Sequence, residues 1–522
     1  MFKSAALNTA NTFTANGAIS NKNIDDARVD LFYKTCRGLS EEDLHELMDN
    51  SWKKDPLDTL KLMAYTRDIR GGKGERDIFK MMLVWLAKQD QGNLLLNLEQ
   101  FIDYGRYDDV VVLVETKLSD EIIELFRNVL VSDLDKMERG ESVSLLAKWF
   151  PSENKKLDKR YKIYNKLAKK MKKTNRELRK QYITPLREYI CIVETLLCNK
   201  DYEKIDFSKL PSYAMKKYNK LFTNNDKIKD LFSKYKESLQ RGETKINAGI
   251  LFPHEIVGKY LGGSEYDVIL EKQWEEVTKN IKLDNCLVLS DVSGSMSGIP
   301  MQVSIALGIL VSSNIKNEAF KNLVLTFETQ SKFHHITGQT LHDKVKSLEN
   351  ASWGGSTDLV NAMKQIIQVA VNNNIKSEDM PKNLLIISDM QFNQADSNYY
   401  TNHVSIKKMF SDLGYQTPNL IYWNVNGSFS DVPSSSASEK GVSLVSGFSK
   451  SVLSCIMQGD IPTPYTTMRF AIDNERYSKL KYDSFCKSDT SGVSNNWNSG
   501  VETDNWNSGV KRIIGIAASG YF

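Results

Sequence analysis

The chain changes its hydrophobic pattern near residue 280. After this point, short apolar runs rich in β-branched residues alternate with helical segments; the runs cover 286–290, 323–327, 384–388, 420–423 and 442–445. Strands that are apolar along their whole length are buried on both faces, so this alternation is typical of a parallel sheet covered by helices. It predicts a doubly wound α/β domain at residues 280–460.

Residues 25–279 show the pattern of successive helices. Apolar residues recur at helical spacing over 55–67, 75–89, 92–103, 119–137, 155–172, 175–198 and 225–239. Ser40, followed by Glu41, Glu42 and Asp43, is typical of a capped helix start. We therefore expect an all-α helical-repeat array here, and a multidomain α + α/β fold for the whole chain.

The two ends of the chain have a different character. Residues 1–24 are rich in Ala, Asn and Thr, and we expect them to be flexible. Residues 461–486 are predicted to form a C-terminal helix that packs on the body. Residues 487–522 are predicted to be a polar tail, in which the sequence NWNSGV occurs at 496–501 and again at 505–510. Two copies are too few for a solenoid.

Composition limits the class of protein. The 522 residues carry 69 Lys+Arg and 65 Asp+Glu, a net charge of +4, and 41% are hydrophobic. This is ordinary for a globular protein, and no apolar run approaches the ~18 residues that cross a bilayer. The N-terminus has no apolar core of a signal peptide, and the six cysteines form no CxxC pair. We expect a reducing, intracellular (cytoplasmic) location and no membrane association.

A loop of alternating oxygen-bearing side chains follows the first predicted strand. In the sequence DVSGSM, Asp291, Ser293 and Ser295 are positioned to turn three oxygen atoms toward one point. Thr357 lies before a later helix, and Asp389 follows another buried strand. Because ligands bind beyond the carboxyl ends of the strands in such sheets, we predict that these five residues form one metal site.

The chemistry of this set favours a hard cation. Hydroxyl and carboxylate oxygens suit Mg²⁺, and the type of ligand also admits Mn²⁺ or Ca²⁺. Two carboxylates offset the charge of the ion, and an acidic group of a partner is suited to complete the coordination shell. The alternative is that these residues only cap the following helices, as we expect for Asp358.

A strongly basic segment lies in the helical half. Between Lys148 and Arg187 there are 15 Lys/Arg and three Asp/Glu, a net charge of +12, whereas the whole chain carries +4. Tyr161, Tyr164 and Tyr182 are interleaved and are candidates for stacking on bases. The alternative is a solvated helix face. The candidate nucleic-acid contacts are Lys155, Lys156, Lys159, Arg160, Lys169, Lys170, Lys172, Lys173, Arg176, Arg179 and Lys180.

A glycine-rich segment earlier in the chain also carries cations. Arg67, Arg70, Lys73 and Arg76 surround a glycine cluster, which is suited to hold a phosphate. The same cations are equally suited to form ion pairs with neighbouring acids and so join two helices. The segment lacks P-loop spacing, so it is not a nucleotide-binding motif of that kind.

These motifs resemble known families. The set Asp291, Ser293, Ser295, Thr357 and Asp389 is similar to the metal-ion-dependent adhesion site (MIDAS) of von Willebrand factor A (vWA) domains. A helical array followed by such a domain resembles TROVE/Ro-type proteins. The sequences at 67–77 (RDIRGGKGERD), 147–154 (AKWFPSEN) and 252–255 (FPHE), with Arg476 and Tyr477, resemble a TROVE-related family of unknown function in plants and large DNA viruses.

The resemblance implies a non-enzymatic ribonucleoprotein-type function. The helical array would bind single-stranded or small structured RNA, and the metal site would dock an acidic protein partner. One alternative is an interaction scaffold without a nucleic-acid role. Another is a metal-dependent phosphate-ester hydrolase, for which we find no general base in the sequence. Ring closure of the array, the RNA and the oligomeric state stay open.

Overall fold

The computed structural model describes residues 11–279, 281–326, 331–350, 357–393, 402–428, 431–453 and 461–486. The chain divides into two compact units: unit 1 contains Met1–Ile78 and Asp206–Tyr477, and unit 2 contains Phe79–Ile205 and Ser478–Phe522. The predicted boundary at residue 280 therefore lies inside unit 1. The reason is packing, because helices that precede this residue contact strands and helices that follow it.

The helices are numbered in chain order through the described residues. Up to residue 200 they are α1 (Ala27–Lys34), α2 (Glu41–Lys54), α3 (Pro56–Arg67), α4 (Arg76–Gln89), α5 (Gln91–Leu96), α6 (Leu98–Tyr104), α7 (Ser119–Glu138), α8 (Leu146–Trp149), α9 (Lys156–Tyr161), α10 (Ile163–Lys170), α11 (Asn175–Leu178), α12 (Thr184–Tyr189) and α13 (Val193–Asn199). The later helices are α14 (Ser212–Asn224), α15 (Lys229–Gln240), α16 (Pro253–Leu261), α17 (Val268–Thr278), α18 (Ile299–Ser313), α19 (Leu341–Glu349), α20 (Leu359–Asn372), α21 (Asn402–Asp412) and α22 (Pro464–Ile472).

Unit 1 is built around a mostly parallel sheet. Among the described residues this sheet has the order β5-β4-β3-β6-β7-β8. Its strands are β3 (Cys286–Ser290), β4 (Leu323–Thr326), β5 (Lys332–His335), β6 (Asn383–Ser388), β7 (Asn419–Asn424) and β8 (Val442–Ser446). All neighbours are parallel except β4 and β5. The strand order reverses between β3 and β6, which makes this position the topological switch point of the sheet.

The predicted fold class is confirmed. Each of the five predicted apolar runs is a strand, with bounds that agree within one residue, and β3 and β8 are buried along their whole length. Helix α18 packs on β3, β4 and β6, while α1 and α22 pack on β8. The antiparallel strand β5 was not predicted, because its sequence KFHH is polar and half exposed.

The helical segments also agree with the sequence pattern. Ser40 caps α2, its side chain accepting a hydrogen bond from the Asp43 N–H at 3.1 Å. Three predicted helices are interrupted. The segment 92–103 is broken at Asn97 between α5 and α6, and the segment 155–172 at Lys162, which has a left-handed backbone. The segment 175–198 is broken by one wider turn at Arg179–Ile183 and again between α12 and α13. Within the described parts of the chain, no helix is both long and apolar enough to cross a membrane.

Both ends of the described chain differ from expectation. Residues 11–21, predicted to be flexible, form a hairpin of β1 (Asn11–Phe13) and β2 (Ile19–Asn21). The predicted helix at 461–486 is shorter, since α22 ends at Ile472 and the chain after Tyr477 belongs to unit 2. There, Asn97 and Asn93 pair with the backbones of Lys481 and Asp483. The polar tail at 487–522 lies outside the described residues.

Candidate functional site

Two buried carboxylates lie at the switch point of the sheet. Asp291 follows β3 and Asp389 follows β6; these strands are neighbours, and Ser290 pairs with Ile387. The Asp291 N–H donates to the Ile387 carbonyl at 2.9 Å. Both aspartates have no measurable solvent exposure (0%). The topology therefore brings the two predicted carboxylates to adjacent positions on one edge of the sheet.

The Asp291 carboxylate organises the loop that follows it. Its Oδ1 accepts the Ser293 N–H at 2.9 Å, and its Oδ2 accepts the Ser388 hydroxyl at 2.5 Å. A short 3₁₀ turn over Gly294–Met296 then places the hydroxyl oxygens of Ser293 and Ser295 3.1 Å apart. Ser293 is buried and Ser295 is exposed, so this loop leads from the buried carboxylate to solvent.

One oxygen of Asp389 has no partner in the described part of the protein. Its Oδ1 accepts the Gln391 N–H at 3.1 Å, whereas its Oδ2 is buried without a hydrogen bond. Met390, the next residue, has a left-handed backbone with φ of 65°. Buried polar atoms are nearly always paired, so this unpaired carboxylate oxygen is a candidate ligand for a cation.

Burial raises the pKa of both aspartates. The pKa of Asp291 rises to about 6 because the carboxyl group is desolvated and because Asp389 is nearby, while hydrogen bonds from Ser388 and Ser293 oppose the rise. Desolvation also raises the pKa of Asp389, and the nearby Ser295 hydroxyl opposes the rise. Among the described residues, no cationic side chain is a main contributor to either pKa. Within the described part of the chain, the main influences on the two carboxyl groups are therefore burial, hydrogen bonds and, for Asp291, the neighbouring Asp389.

Thr357 lies in a segment bound to the Asp389 loop. Its carbonyl accepts the Asn393 N–H at 2.9 Å, and the residue is buried. The neighbouring Asp358 caps α20 as predicted, accepting the Asn361 N–H at 2.8 Å. Residues 351–356 lie outside the described residues. No group of three or more His, Cys, Asp or Glu side chains suited to a metal occurs in the described ranges, so the candidate ligands are two carboxylates and hydroxyls.

The N-terminal hairpin holds the loop that follows Asp389. The Thr14 hydroxyl donates to the Phe392 carbonyl at 2.7 Å, and the Ala15 N–H donates to Gln391 Oε1 at 2.6 Å. Asn16 Nδ2 donates to the Gln391 carbonyl at 2.6 Å. Sequence reasoning missed this role, since strands of three residues leave no hydrophobic pattern to detect.

The basic segment of unit 2 is largely exposed. Of the eleven candidate nucleic-acid contacts, Lys173 is half-buried and the others are exposed. Some form ion pairs: Arg160 with Glu115 at 3.5 Å and Lys170 with Glu124 at 3.2 Å. Two of the three proposed stacking residues are not accessible, because Tyr161 and Tyr164 point into the core and are only 6% and 1% exposed.

The glycine-rich segment is mostly a structural element of unit 1. Lys73 is buried, and its Nζ donates to the carbonyls of Phe32 and Thr35 and to the Ser446 hydroxyl. Arg67 is also buried, Arg76 is half-buried and Arg70 is exposed. A phosphate contact is therefore not proposed for Lys73, whose ammonium group is already bound to protein oxygens.

The acids of this segment are paired with cations from elsewhere in unit 1. Asp68 accepts hydrogen bonds from Arg476 and from the Tyr477 hydroxyl, and Glu75 pairs with Arg37 at 3.0 Å. Asp68 and Glu75 therefore pair with Arg476 and Arg37, whereas the ion-pair alternative named the cations of the segment itself.

Comparison with known proteins identifies the family. The family described as "Domain of unknown function (DUF2828)" matches residues 14–114 and 114–287, which together make up more than half of the chain. The chain belongs to this family. A second family, "Domain of unknown function (DUF7788)", matches residues 285–485, the region of the α/β sheet.

Relatives of the chain agree with the predicted resemblance. "Uncharacterized protein L728" of Acanthamoeba polyphaga mimivirus is 31% identical over 538 residues, covering 94% of this chain and 93% of that protein. The predicted relation to a family of unknown function in large DNA viruses is therefore confirmed. Among solved structures, the Ro (RSR) protein of Deinococcus radiodurans aligns over 82% of this chain and 91% of its own, at 14% identity and a TM-score of 0.36. At this level, the likeness supports no argument about function.

Proposed function

We propose that unit 1 binds a divalent cation through Asp291, Ser293, Ser295, Thr357 and Asp389, and uses it to hold an acidic group of a protein partner. The unpaired Oδ2 of Asp389 carries this proposal. Two desolvated carboxylates at one sheet edge need a positive charge to stay ionised. A cation would supply this charge, and its remaining coordination position would accept a carboxylate.

The donor atoms suit one class of metal ion. Hydroxyl and carboxylate oxygens favour Mg²⁺, with Mn²⁺ and Ca²⁺ as alternatives, whereas Zn²⁺ favours Cys and His. Ser295 is exposed, so the partner group would approach from its side of the loop. The resemblance to the MIDAS of vWA domains supports the same ligand set and the same mode of docking.

Calorimetric titration with MgCl₂ and MnCl₂ tests the cation site. We expect one equivalent of metal per chain and a higher Tm in its presence. Asp389→Asn should abolish both effects. Asp358→Asn is a matched control, because Asn also caps helices and Asp358 is bonded to the start of α20. Failure of the wild type to bind Mg²⁺, Mn²⁺ and Ca²⁺ would refute the proposal.

The docking function has its own test. A protein partner should be retained by the wild type in Mg²⁺, released by EDTA, and not retained by Asp389→Asn. Retention that survives both EDTA and this variant would show that the partner does not use the metal site.

A second function is favoured by the exposed cations of unit 2. We propose that the segment around α9 to α12 binds single-stranded or small structured RNA through its phosphates. Its support is the net charge of +12 between Lys148 and Arg187, together with the exposure of most of these side chains. Because Tyr161 and Tyr164 are buried, the proposal rests on charge rather than on base stacking.

Fluorescence anisotropy with a labelled single-stranded RNA, at a series of KCl concentrations, tests this function. Charge reversal at Lys169, Lys170, Lys172 and Lys173 should weaken binding and flatten its salt dependence. Charge reversal at Lys316 and Lys321, which lie in the α/β domain, is the control for a change of charge outside the basic segment. Salt-independent binding, or binding of an acidic protein instead of RNA, would favour the scaffold alternative.

We propose a binding role without catalysis. A hydrolase needs a general base beside its metal, and the carboxylates at this site would themselves be ligands. Phosphodiester turnover that disappears in Asp389→Ala would contradict this proposal.

A reducing, intracellular location is also proposed. Its support is that Cys36, Cys191, Cys198 and Cys286 are free thiols in the described structure. Localisation of a tagged chain by microscopy tests it, and secretion of the protein would refute it.

A further inference from the structure

Lysine occupies three helix ends in unit 2 where glycine is the usual residue. Lys162, Lys172 and Lys200 follow α9, α10 and α13 with left-handed backbones, at φ values of 52°, 54° and 62°. A residue with a Cβ is strained in this region, and helices that end this way usually place glycine there. These three positions therefore carry lysine against the local preference of the backbone.

The chain uses glycine at equivalent turns elsewhere. After α10 the Lys173 N–H donates to the Ala168 carbonyl at 2.9 Å, and after α13 the Asp201 N–H donates to the Leu196 carbonyl at 2.9 Å. The same bond closes the turns at Gly140, after α7, and at Gly242, after α15. An added Cβ at either glycine would meet nothing within 4 Å, so space does not decide the choice.

The helix dipole does not explain the lysines either. A cation near a helix C-terminus is favourable, but α7 and α15 obtain this effect from Arg139 and Arg241. Those residues precede the glycine and have ordinary right-handed backbones. A cation can thus serve the dipole without occupying the strained position.

The three side chains are also exposed and uncompensated. In the ranges that the structure describes, none of their ammonium groups has a carboxylate within ion-pair distance, unlike the neighbouring Arg160 and Lys170. Residues held in rare backbone conformations often mark functional positions. A glycine at these positions would lack the long, positively charged side chain that lysine places at the turn.

We propose that Lys162, Lys172 and Lys200 are phosphate-contacting residues for RNA. This inference rests on the proposed RNA-binding function; it selects Lys172 from the candidate contacts given above and adds Lys162 and Lys200. Lys162 and Lys172 lie at opposite ends of α10. At the helical rise of ~1.5 Å per residue, their Cα atoms are about 15 Å apart. Charge alone does not select these positions from the many lysines of unit 2, whereas the backbone strain does.

The test compares glycine variants that relieve the same strain. In the triple variant Lys162→Gly, Lys172→Gly and Lys200→Gly, we expect a Tm equal to or above that of the wild type. For a single-stranded RNA, the logarithm of the association constant falls as the logarithm of the salt concentration rises. In the triple variant this slope should be shallower by about 2, since each lost phosphate contact contributes ~0.7. At 0.1 M salt this corresponds to roughly 100-fold weaker binding.

Control variants separate the effect of losing the lysine charge from the effect of relieving the backbone strain. Asn154→Gly and Cys191→Gly relieve left-handed backbones at φ values of 61° and 54° without removing a charge, and should leave the slope unchanged. Replacement of the three lysines by arginine should preserve the slope. If the glycine variant folds poorly, the corresponding Asn variant provides the same charge removal, because asparagine tolerates this conformation.

The outcomes distinguish the inference from the function on which it rests. A wild type that shows no salt-dependent RNA binding would refute both. A wild type that binds, with a triple variant of unchanged slope and affinity, would refute the inference alone. An equal loss of binding in Asn154→Gly and Cys191→Gly would also refute it, because the effect would then come from the backbone.

Discussion

His254 is expected to make unit 1 sensitive to mild acid. It lies near the start of α16 and is 6% exposed. Its ring stacks on the ring of Phe252, with the two ring centroids 5.6 Å apart. It also makes an edge contact with the ring of Phe448, with the centroids 5.3 Å apart. Its Nδ1 is buried, with no hydrogen-bond partner in the described residues. Burial lowers the pKa of this histidine from 6.5 to about 4, although the nearby Glu255 opposes the shift.

The size and sign of the effect follow from this pKa. The unfolded chain binds a proton near pH 6.5 and the folded chain only near pH 4, so the neutral ring stabilises the fold above pH 6.5. This contribution is lost as the pH falls between these values. At pH 5 the loss is about 2 kcal/mol, and below pH 4 it approaches about 3 kcal/mol.

Urea unfolding at pH 7.5 and pH 5.0 measures this loss, with His254→Phe as the control that keeps an aromatic ring but does not titrate. Other groups also titrate in this range, so the informative quantity is the difference between the two proteins. The free energy of unfolding of the wild type should fall by about 2 kcal/mol more than that of the variant. Equal losses in the two proteins would refute the reasoning.

Two further predictions concern contacts that join distant parts of unit 1. Lys73→Met leaves the Phe32 and Thr35 carbonyls without the Lys73 ammonium group, so the free energy of unfolding in urea should fall by about 3 kcal/mol; a loss under about 0.5 kcal/mol would contradict the assigned contacts. Gln391→Leu removes the hydrogen bond that the Ala15 N–H donates to the Gln391 side chain. The free energy of unfolding should fall by about 1–2 kcal/mol. Mg²⁺ binding, measured by calorimetry, should become weaker. Unchanged metal affinity in this variant would show that the hairpin does not position the Asp389 loop.

Much of the architecture follows from local sequence patterns. The five apolar runs become strands because each is long enough and apolar enough to be buried on both faces. Helix α2 begins where the side chain of Ser40 caps it. The positions of Asp291 and Asp389 directly after strands also follow from the sequence, since each lies beyond an apolar run.

Short or polar elements could not be predicted in the same way. Strand β5 is half exposed, and β1 and β2 have three residues each, so none of them has a hydrophobic period to detect. The hairpin donates hydrogen bonds to Phe392 and Gln391, which lie 378 and 376 positions away from their partners in the chain. Such contacts leave no local signal.

The amino-acid sequence by itself determined which segments become strands and helices and which residues follow the strands, because these depend on neighbours a few positions apart. The tertiary structure decided which strands adjoin, and so placed Asp291 beside Asp389 at the switch point. It also decided that Lys73 is a buried structural cation and that Tyr164 belongs to a core. Burial and pairing depend on contacts between residues far apart in the chain, which no local pattern encodes.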